Sequence, residues 1–512
     1  MPMSDREVTE ADEWTGSRWS KRERWALATF AAAVFASLTV LVHSWYDPVR
    51  DGSIYIGTAK SLLSGEGYRY VGVPFVTRLP GFTALITPFI AAFGVQFYIL
   101  NLGVSLFGAT GVVLLAAFLR NRVGLGLGIL TATVVWLNPG YQKLCNQVMT
   151  DVPGMALVFA CLLLERWASR KDSWRRELLL GLAIGLSTYV RSLSLLLVPA
   201  IAASRAWRVV GTGMDASGWL SFVARRIVPM AAVTLLLLAP WSVRNRVQAP
   251  PAPVDQFTVY DYGTAMWHVD SGDPESATLS LDDVLARTPL RFRQISDVLG
   301  SRLQKRVRGN EEPRETTPPL HVAVALLLAA GCLRVLIKRR APAEFFAVAT
   351  LLVMSVYFGF LDRLVLPLYV LGLAATVELL RDLFAAIGGT RFATWVTIAA
   401  LLGLLVVDLD PRQDWSGIEA RHRDHAQLAG ALEQQLPAGA RIGAPLGFTY
   451  SVYLDRPVYS LLIAIRRAGD PSSTYADTAR ARGVLGWEPR YGLGDILDTA
   501  FRWHQQQYVA TG

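Results

Sequence analysis

Two carboxylates and several arginines stand out in this chain of 512 residues because each sits where an apolar run begins or ends. Asp51 opens the segment Asp51-Gly-Ser-Ile-Tyr55, and Ile54, Ala59, Leu62 and Leu63 follow near helical spacing. That pattern predicts a short amphipathic helix lying on the membrane, with Asp51 either capping it or offering a carboxylate for proton transfer. Asp151, in Thr150-Asp151-Val-Pro153, starts another apolar run, and a proline in the first turn agrees with a capping role. Arg78 stands just before an apolar, proline-containing stretch. A guanidinium there pairs with a carboxylate or a lipid phosphate, or else snorkels to the interface. Arg244, in Pro240-Trp241-Ser-Val-Arg244-Asn245, emerges beside an interfacial tryptophan, where belt and snorkelling also account for it. Arg191 interrupts an otherwise apolar hairpin, a costly placement that calls for a function or a buried partner. Asp47 precedes Pro48 at the end of the first apolar run, where an interfacial position explains it.

The elements that must position these groups are membrane spans. The chain is 52% hydrophobic and 18% charged, against about 25% charged in soluble proteins, and its mean hydropathy is +0.33. Apolar runs near the length of a bilayer crossing lie at 24–45, 97–119, 123–138, 150–165, 178–190, 192–207, 227–243, 319–337, 343–361, 364–380 and 392–409. They predict an all-α polytopic membrane protein with about 11 transmembrane helices. The net charge of +9 sits largely in short loops, which makes it a topology signal and excludes a nucleic-acid partner. Placing those loops inside puts the N-terminal tail, 1–23, inside as well. It also requires 79–94, broken by Pro80, Gly81, Pro88 and Gly94, to dip into the outer leaflet. The membrane domain is then 24–409, with outer loops 46–96 and 244–317. A small extracytoplasmic α/β region, 410–465, is predicted from helical spacing over His422–Gln435 and turn residues at Pro437–Gly439. Three cysteines make no disulfide framework; Cys161 and Cys332 lie in apolar runs and Cys145 in a predicted loop.

Taken in order, Asp51-x-x-x-Tyr55, Arg78-x-Pro80-Gly, Thr150-Asp151-x-Pro153, Pro240-Trp241-x-x-Arg244-Asn245 and Arg363-x-x-x-Pro367 resemble the GT-C superfamily of integral-membrane glycosyltransferases. They are similar in particular to the branch holding the protein O-mannosyltransferases and the lipid A aminoarabinose transferase. The resemblance spans residues 24 to about 460. It implies a polyprenyl-phosphate-linked sugar donor, an acidic base in the first outer loop, and inverting transfer outside the plasma membrane. Asp51 matches the base, Asp151 the second acidic residue, and Arg78 with Arg244 the lipid-phosphate contacts. Tyr55, Arg191 and Arg363 are further substrate-binding expectations. The chain departs from the pattern in carrying Asp51-Gly52 where relatives carry Asp-Glu, and Arg78-Leu-Pro-Gly where they carry Lys-Pro-Pro.

The residue types suit that chemistry without the family name. A lipid phosphate gains negative charge as the glycosidic bond breaks, and fixed guanidiniums stabilise it in a partly dehydrated site. A carboxylate across the anomeric carbon can take the acceptor hydroxyl's proton. A divalent metal ion between Asp51 and Asp151 would fit the same residues, but nothing demands it. The acceptor, whether glycan, lipid or protein, is not written in the sequence. A transporter or flippase of a lipid-linked or sugar substrate is the alternative; it predicts mid-span charges and repeated halves, and the sequence has few of the first and no visible repeat.

The last segment, 466–512, carries a second resemblance. Arg467-Ala-Gly469-Asp470-Pro471 and Leu485-Gly486-Trp487-Glu-Pro489 look like the C-terminal part of UDP-glucose 4-epimerases. The glycine-rich nucleotide fingerprint those enzymes need is absent from the chain, so the segment reads as a fused remnant or accessory surface.

Overall fold

The computed structural model describes residues 19–47, 50–210, 214–249, 267–269, 277–304, 317–357, 362–408, 415–437, 442–444, 447–454 and 458–460. The epimerase-like segment lies outside them. The elements in order are α1 (Lys21–Leu41), α2 (Arg50–Leu63), β1 (Arg69–Tyr70), β2 (Val73–Pro74), α3 (Gly81–Phe93), α4 (Phe97–Val123), α5 (Leu125–Leu137), α6 (Pro139–Cys145), α7 (Asp151–Ser169) and α8 (Trp174–Val190). After a 3-10 turn at Ser192–Leu196 come α9 (Leu197–Val209), α10 (Ala216–Arg226), α11 (Val228–Gln248), α12 (Leu281–Gly300), α13 (Pro319–Arg339) and α14 (Pro342–Val356). A second 3-10 turn, Asp362–Val365, leads into α15 (Leu366–Asp408), followed by α16 (Ser416–Gln435), β3 (Ile442–Ala444), α17 (Gly447–Tyr453) and β4 (Val458–Ser460).

In hydrocarbon each backbone polar group must be satisfied within its own segment, so the apolar runs form helices. Each of the eleven runs falls on one. Among the described residues, five helices are long and apolar enough to cross a membrane, or six if the pair α10 and α11, bent by 40°, counts as one span. The chain is therefore a multi-pass membrane protein. The helices α3, α5 and α14 are apolar but shorter. The last two runs are joined in one helix of 43 residues that breaks at Gly389, whose φ of 79° lies in the left-handed region a glycine adopts without strain. Side chains such as Leu236, Trp395 and Val406 are at least 70% exposed, as lipid-facing residues are.

Charges gather at opposite ends of the same helices. α7 begins with Asp151 and ends with Glu165 and Arg166, and α8 begins near Glu177 and ends at Arg191. At the end away from Asp151, Glu177 accepts from Arg205 at 2.8 Å and lies 3.2 Å from Arg226. Arg122 pairs there with Glu344 at 2.5 Å, Arg120 with Glu23 at 2.8 Å, and Arg339 with Glu378. Each of these arginines is matched to a carboxylate on another helix.

Two expectations need correction. α2 is not an exposed surface helix: Asp51 to Ile56 are all buried, because α3, α17 and β1 pack against it. Cys145 is not in a loop but ends α6 and is fully buried, its Sγ against Gly108 of α4. Beyond α15, β3 and β4 pair in parallel around α17. Lys60 of α2 donates to the carbonyls of Val452 and Leu454, which ties this part of the chain to the Asp51 helix.

Candidate functional site

Asp51 stands in the first turn of α2 with its side chain 11% exposed. Arg78, on the segment between β2 and α3, donates from Nη2 to Asp51 Oδ1 at 3.0 Å. Arg363, in the turn that precedes α15, donates from Nη2 to Asp51 Oδ2 at 2.5 Å, and its Nε lies 4.0 Å from Asp151 Oδ2. Arg191, at the end of α8, places Nη2 2.9 Å from Asp151 Oδ1 and donates from Nη1 to Thr150 Oγ1 at 3.0 Å. One charged chain thus runs Arg78, Asp51, Arg363, Asp151, Arg191, contributed by five separate stretches of sequence. Three guanidiniums outnumber two carboxylates, leaving one net positive charge in a largely buried place.

The local sequence explains the reach of Arg191. A Cβ at Gly154, in the first turn of α7, would lie 2.5 Å from Arg191 Cδ and 2.9 Å from its Cβ, so only glycine lets that side chain cross the helix end to Asp151. The Gly154→Ala variant is therefore expected to lose roughly 1 to 3 kcal/mol through overpacking. Thermal unfolding in detergent would measure the loss, and an unchanged midpoint would contradict this packing.

Burial by itself would raise the pKa of Asp51, but the charges and hydrogen bonds of Arg78 and Arg363 outweigh it and hold the carboxyl well below the usual carboxylate range. Asp51 is ionised throughout the neutral range. Each of its oxygens accepts one guanidinium hydrogen and keeps a lone pair for another donor. A divalent cation does not fit this arrangement. Asp51 and Asp151 are already matched by three arginines, and among the described residues no group of three or more His, Cys, Asp or Glu side chains could hold a metal. An anion is the ligand that one surplus positive charge favours.

The other expected residues are placed as follows. Tyr55 lies one turn beyond Asp51, 4% exposed, with its ring edge-on to Phe82 at 5.0 Å. Arg244 is not part of the chain of charges. It donates to the carbonyls of Phe75 at 2.6 Å and Tyr68 at 2.9 Å, beneath the β1–β2 hairpin. Asp47 is more than interfacial, since it is 5% exposed and accepts from Gln147 Nε2 at 2.5 Å. Thr150, part of the Thr150-Asp151-x-Pro153 motif, accepts through Oγ1 from Arg191, while residue-by-residue reading missed Met149, whose Sδ accepts from Arg363. Its only sequence signal is closeness to Asp151.

This helical bundle, with its charged chain at one end, has the fold of the GT-C integral-membrane glycosyltransferases. It is similar over 87% of both chains to ArnT from Cupriavidus metallidurans bound to undecaprenyl phosphate, with a TM-score of 0.55 and 16% identity. It is also similar to the archaeal oligosaccharyltransferase AglB from Archaeoglobus fulgidus in complex with an inhibitory peptide and a dolichol-phosphate, with a TM-score of 0.55 and 12% identity. That match covers 86% of this chain and 65% of AglB. No protein-family model matches the chain. Short stretches are similar to UDP-glucose 4-epimerases. One is 49% identical over 41 residues to that of Lactobacillus helveticus and another 37% identical over 83 residues to that of Rhizobium meliloti (strain 1021). They span 12% and 25% of those enzymes, and 8% and 15% of this chain.

Proposed function

We propose that the protein is a membrane glycosyltransferase that moves a sugar from a polyprenyl-phosphate donor to an acceptor hydroxyl on the extracytoplasmic face. The observation that carries this reading is the buried charged chain, in which guanidiniums outnumber carboxylates, at one end of a bundle with the fold of ArnT. The phosphate of the donor meets Arg78 and Arg363, with Arg191 adding charge through Asp151. As the phosphate draws Arg78 away from Asp51, the freed carboxylate oxygen becomes more basic and takes the acceptor's proton. The bond from the anomeric carbon to the acceptor oxygen forms while the bond to the phosphate oxygen breaks. Its electron pair leaves with the polyprenyl phosphate, and the configuration inverts. Asp151 keeps Arg363 and Arg191 in register.

The test is to supply purified protein with a panel of polyprenyl-phosphate sugars and measure release of the lipid phosphate together with glycosylated acceptor. No release with any donor would overturn the reading, and movement of intact donor across a vesicle bilayer would replace it with a flippase. The reading also requires the charged chain to face outward. Cysteines at Glu66 and Gln248, both exposed, should react with an impermeant reagent from outside, and one at Asp172 only from inside. Labelling of Glu66 and Asp172 positions from the same side would break the topology.

A further inference from the structure

Arg78 is carried on a run of several residues without helical structure, the stretch 75–80 between β2 and α3, whereas Arg191 is a single extended residue directly between α8 and a 3-10 turn. A group that must hold a fixed position on such a segment needs an external tie, since an irregular backbone loses little by moving. The tie is at the end of α11. Arg244 donates from Nη1 to the Phe75 carbonyl at 2.6 Å and from Nη2 to the Tyr68 carbonyl at 2.9 Å. Asn245 follows with Nδ2 to the Val76 carbonyl at 3.0 Å and accepts from Arg244 Nη1 at 3.0 Å. The guanidinium lies 4.7 Å above the Trp241 ring, and that ring meets Tyr68 edge-on at 5.2 Å. Tyr68 in turn donates its hydroxyl to the Arg78 carbonyl at 3.3 Å, and the Phe75 N–H donates to the Tyr68 carbonyl at 3.1 Å. Three carbonyls, that of Tyr68 just before the hairpin and those of Phe75 and Val76 on the strap, are therefore held from one helix end, the last of them two residues before Arg78.

We infer that Arg244 and Asn245 form a latch that positions Arg78 against Asp51, so that Arg244 acts on the reaction through the strap and not as a contact of the donor. Of its hydrogen-bonding capacity, three bonds go to the strap and to Asn245, in the planar fork that a guanidinium provides and an ammonium does not. Asn245 is the signature of the device. It has no charge to offer a phosphate, yet it makes the same kind of bond to the same strap.

Two measurements test this. The first needs neither donor nor activity: amide hydrogen exchange over residues 68–78 in full-length protein in nanodiscs. Arg244→Ala should speed exchange there by at least about tenfold while α7 and α15 stay protected, Asn245→Ala should act in the same direction, and Arg244→Lys should restore part of the protection. Unchanged exchange in both alanine variants overturns the latch. The second rests on the glycosyltransferase reading and compares kcat/KM for polyprenyl-phosphate sugar in Arg78→Ala, Arg244→Ala and the double variant. A latch acts only through Arg78, so the double variant should be no slower than Arg78→Ala within about twofold. If the two losses multiply, Arg244 has its own contact with the donor and the latch is overturned as its role. Should no donor be turned over at all, the exchange result still decides the latch, and only the functional reading falls.

Discussion

Asp51→Asn is expected to lower sugar transfer by roughly two to four orders of magnitude, the range that removal of a positioned general base produces. Asparagine keeps the size of the side chain and one oxygen, so a hydrogen bond from either Arg78 or Arg363 can persist. What is lost is the charge that offsets two buried guanidiniums and the lone pair that receives the proton. The comparison that isolates the base is Asp151→Asn at matched membrane expression. Asp151 is held by Arg191 at 2.9 Å and by Arg363 at 4.0 Å, and its side chain is 1% exposed, so its replacement should act by loosening the arginines. The loss in Asp151→Asn should be smaller and partly recovered at high donor concentration. If Asp51→Asn stays within about threefold of the parent while Asp151→Asn is inactive, the roles are reversed.

Removing Arg363 should have the next largest effect, because this one side chain bridges both carboxylates. Arg363→Gln leaves Asp51 with Arg78 and Asp151 with Arg191. Breaking a buried pair by deleting one partner costs about 3 to 5 kcal/mol, so the variant should unfold at lower temperature as well as lose activity. The pH dependence follows from the same loss. In the parent the Asp51 carboxyl is held below its unfolded value of about 3.9. The stability its ion pairs supply is thus fully present above that pH and is lost only as pH falls through the lower folded value. Between about pH 5 and pH 8 the parent should show no acid limb from Asp51. With Arg363 gone, burial weighs more heavily, and the acid limb of the rate profile should climb toward that window. A profile unchanged in Arg363→Gln would mean that Asp51 does not titrate in the reaction.

Much of the arrangement was legible in the sequence because membrane folding writes it there. Hydrocarbon demands long uncharged runs, and helices appear along them; charges avoid the middle of the spans, and arginines with carboxylate partners gather at both ends of the bundle. The ends of those runs are the places where a charge can survive, which is why Asp51, Arg78, Asp151, Arg191 and Arg363 could be singled out without knowing that they meet. Helix lengths were less legible. Hydropathy does not distinguish a full crossing from the 13 residues of α3 or α5, nor two spans from one long helix broken at Gly389.

What only the tertiary structure decided is which charges touch. Asp51 and Arg363 are 312 positions apart, and no periodicity relates them. Their pairing exists because the turn before α15 is packed against the start of α2. The amphipathic pattern of α2 allowed a helix on a membrane surface, yet α17 and α3 cover it, since a pattern gives the apolar face but not the partner that buries it. Arg244 looks identical to Arg78 in sequence, an arginine at an interface beside aromatic residues. The hairpin carbonyls above it claim its hydrogen bonds, because buried backbone acceptors without partners cost more than one exposed charge gains. The chain alone therefore set the residue types and their place at the ends of apolar runs, and the packing of distant segments assigned each its partner.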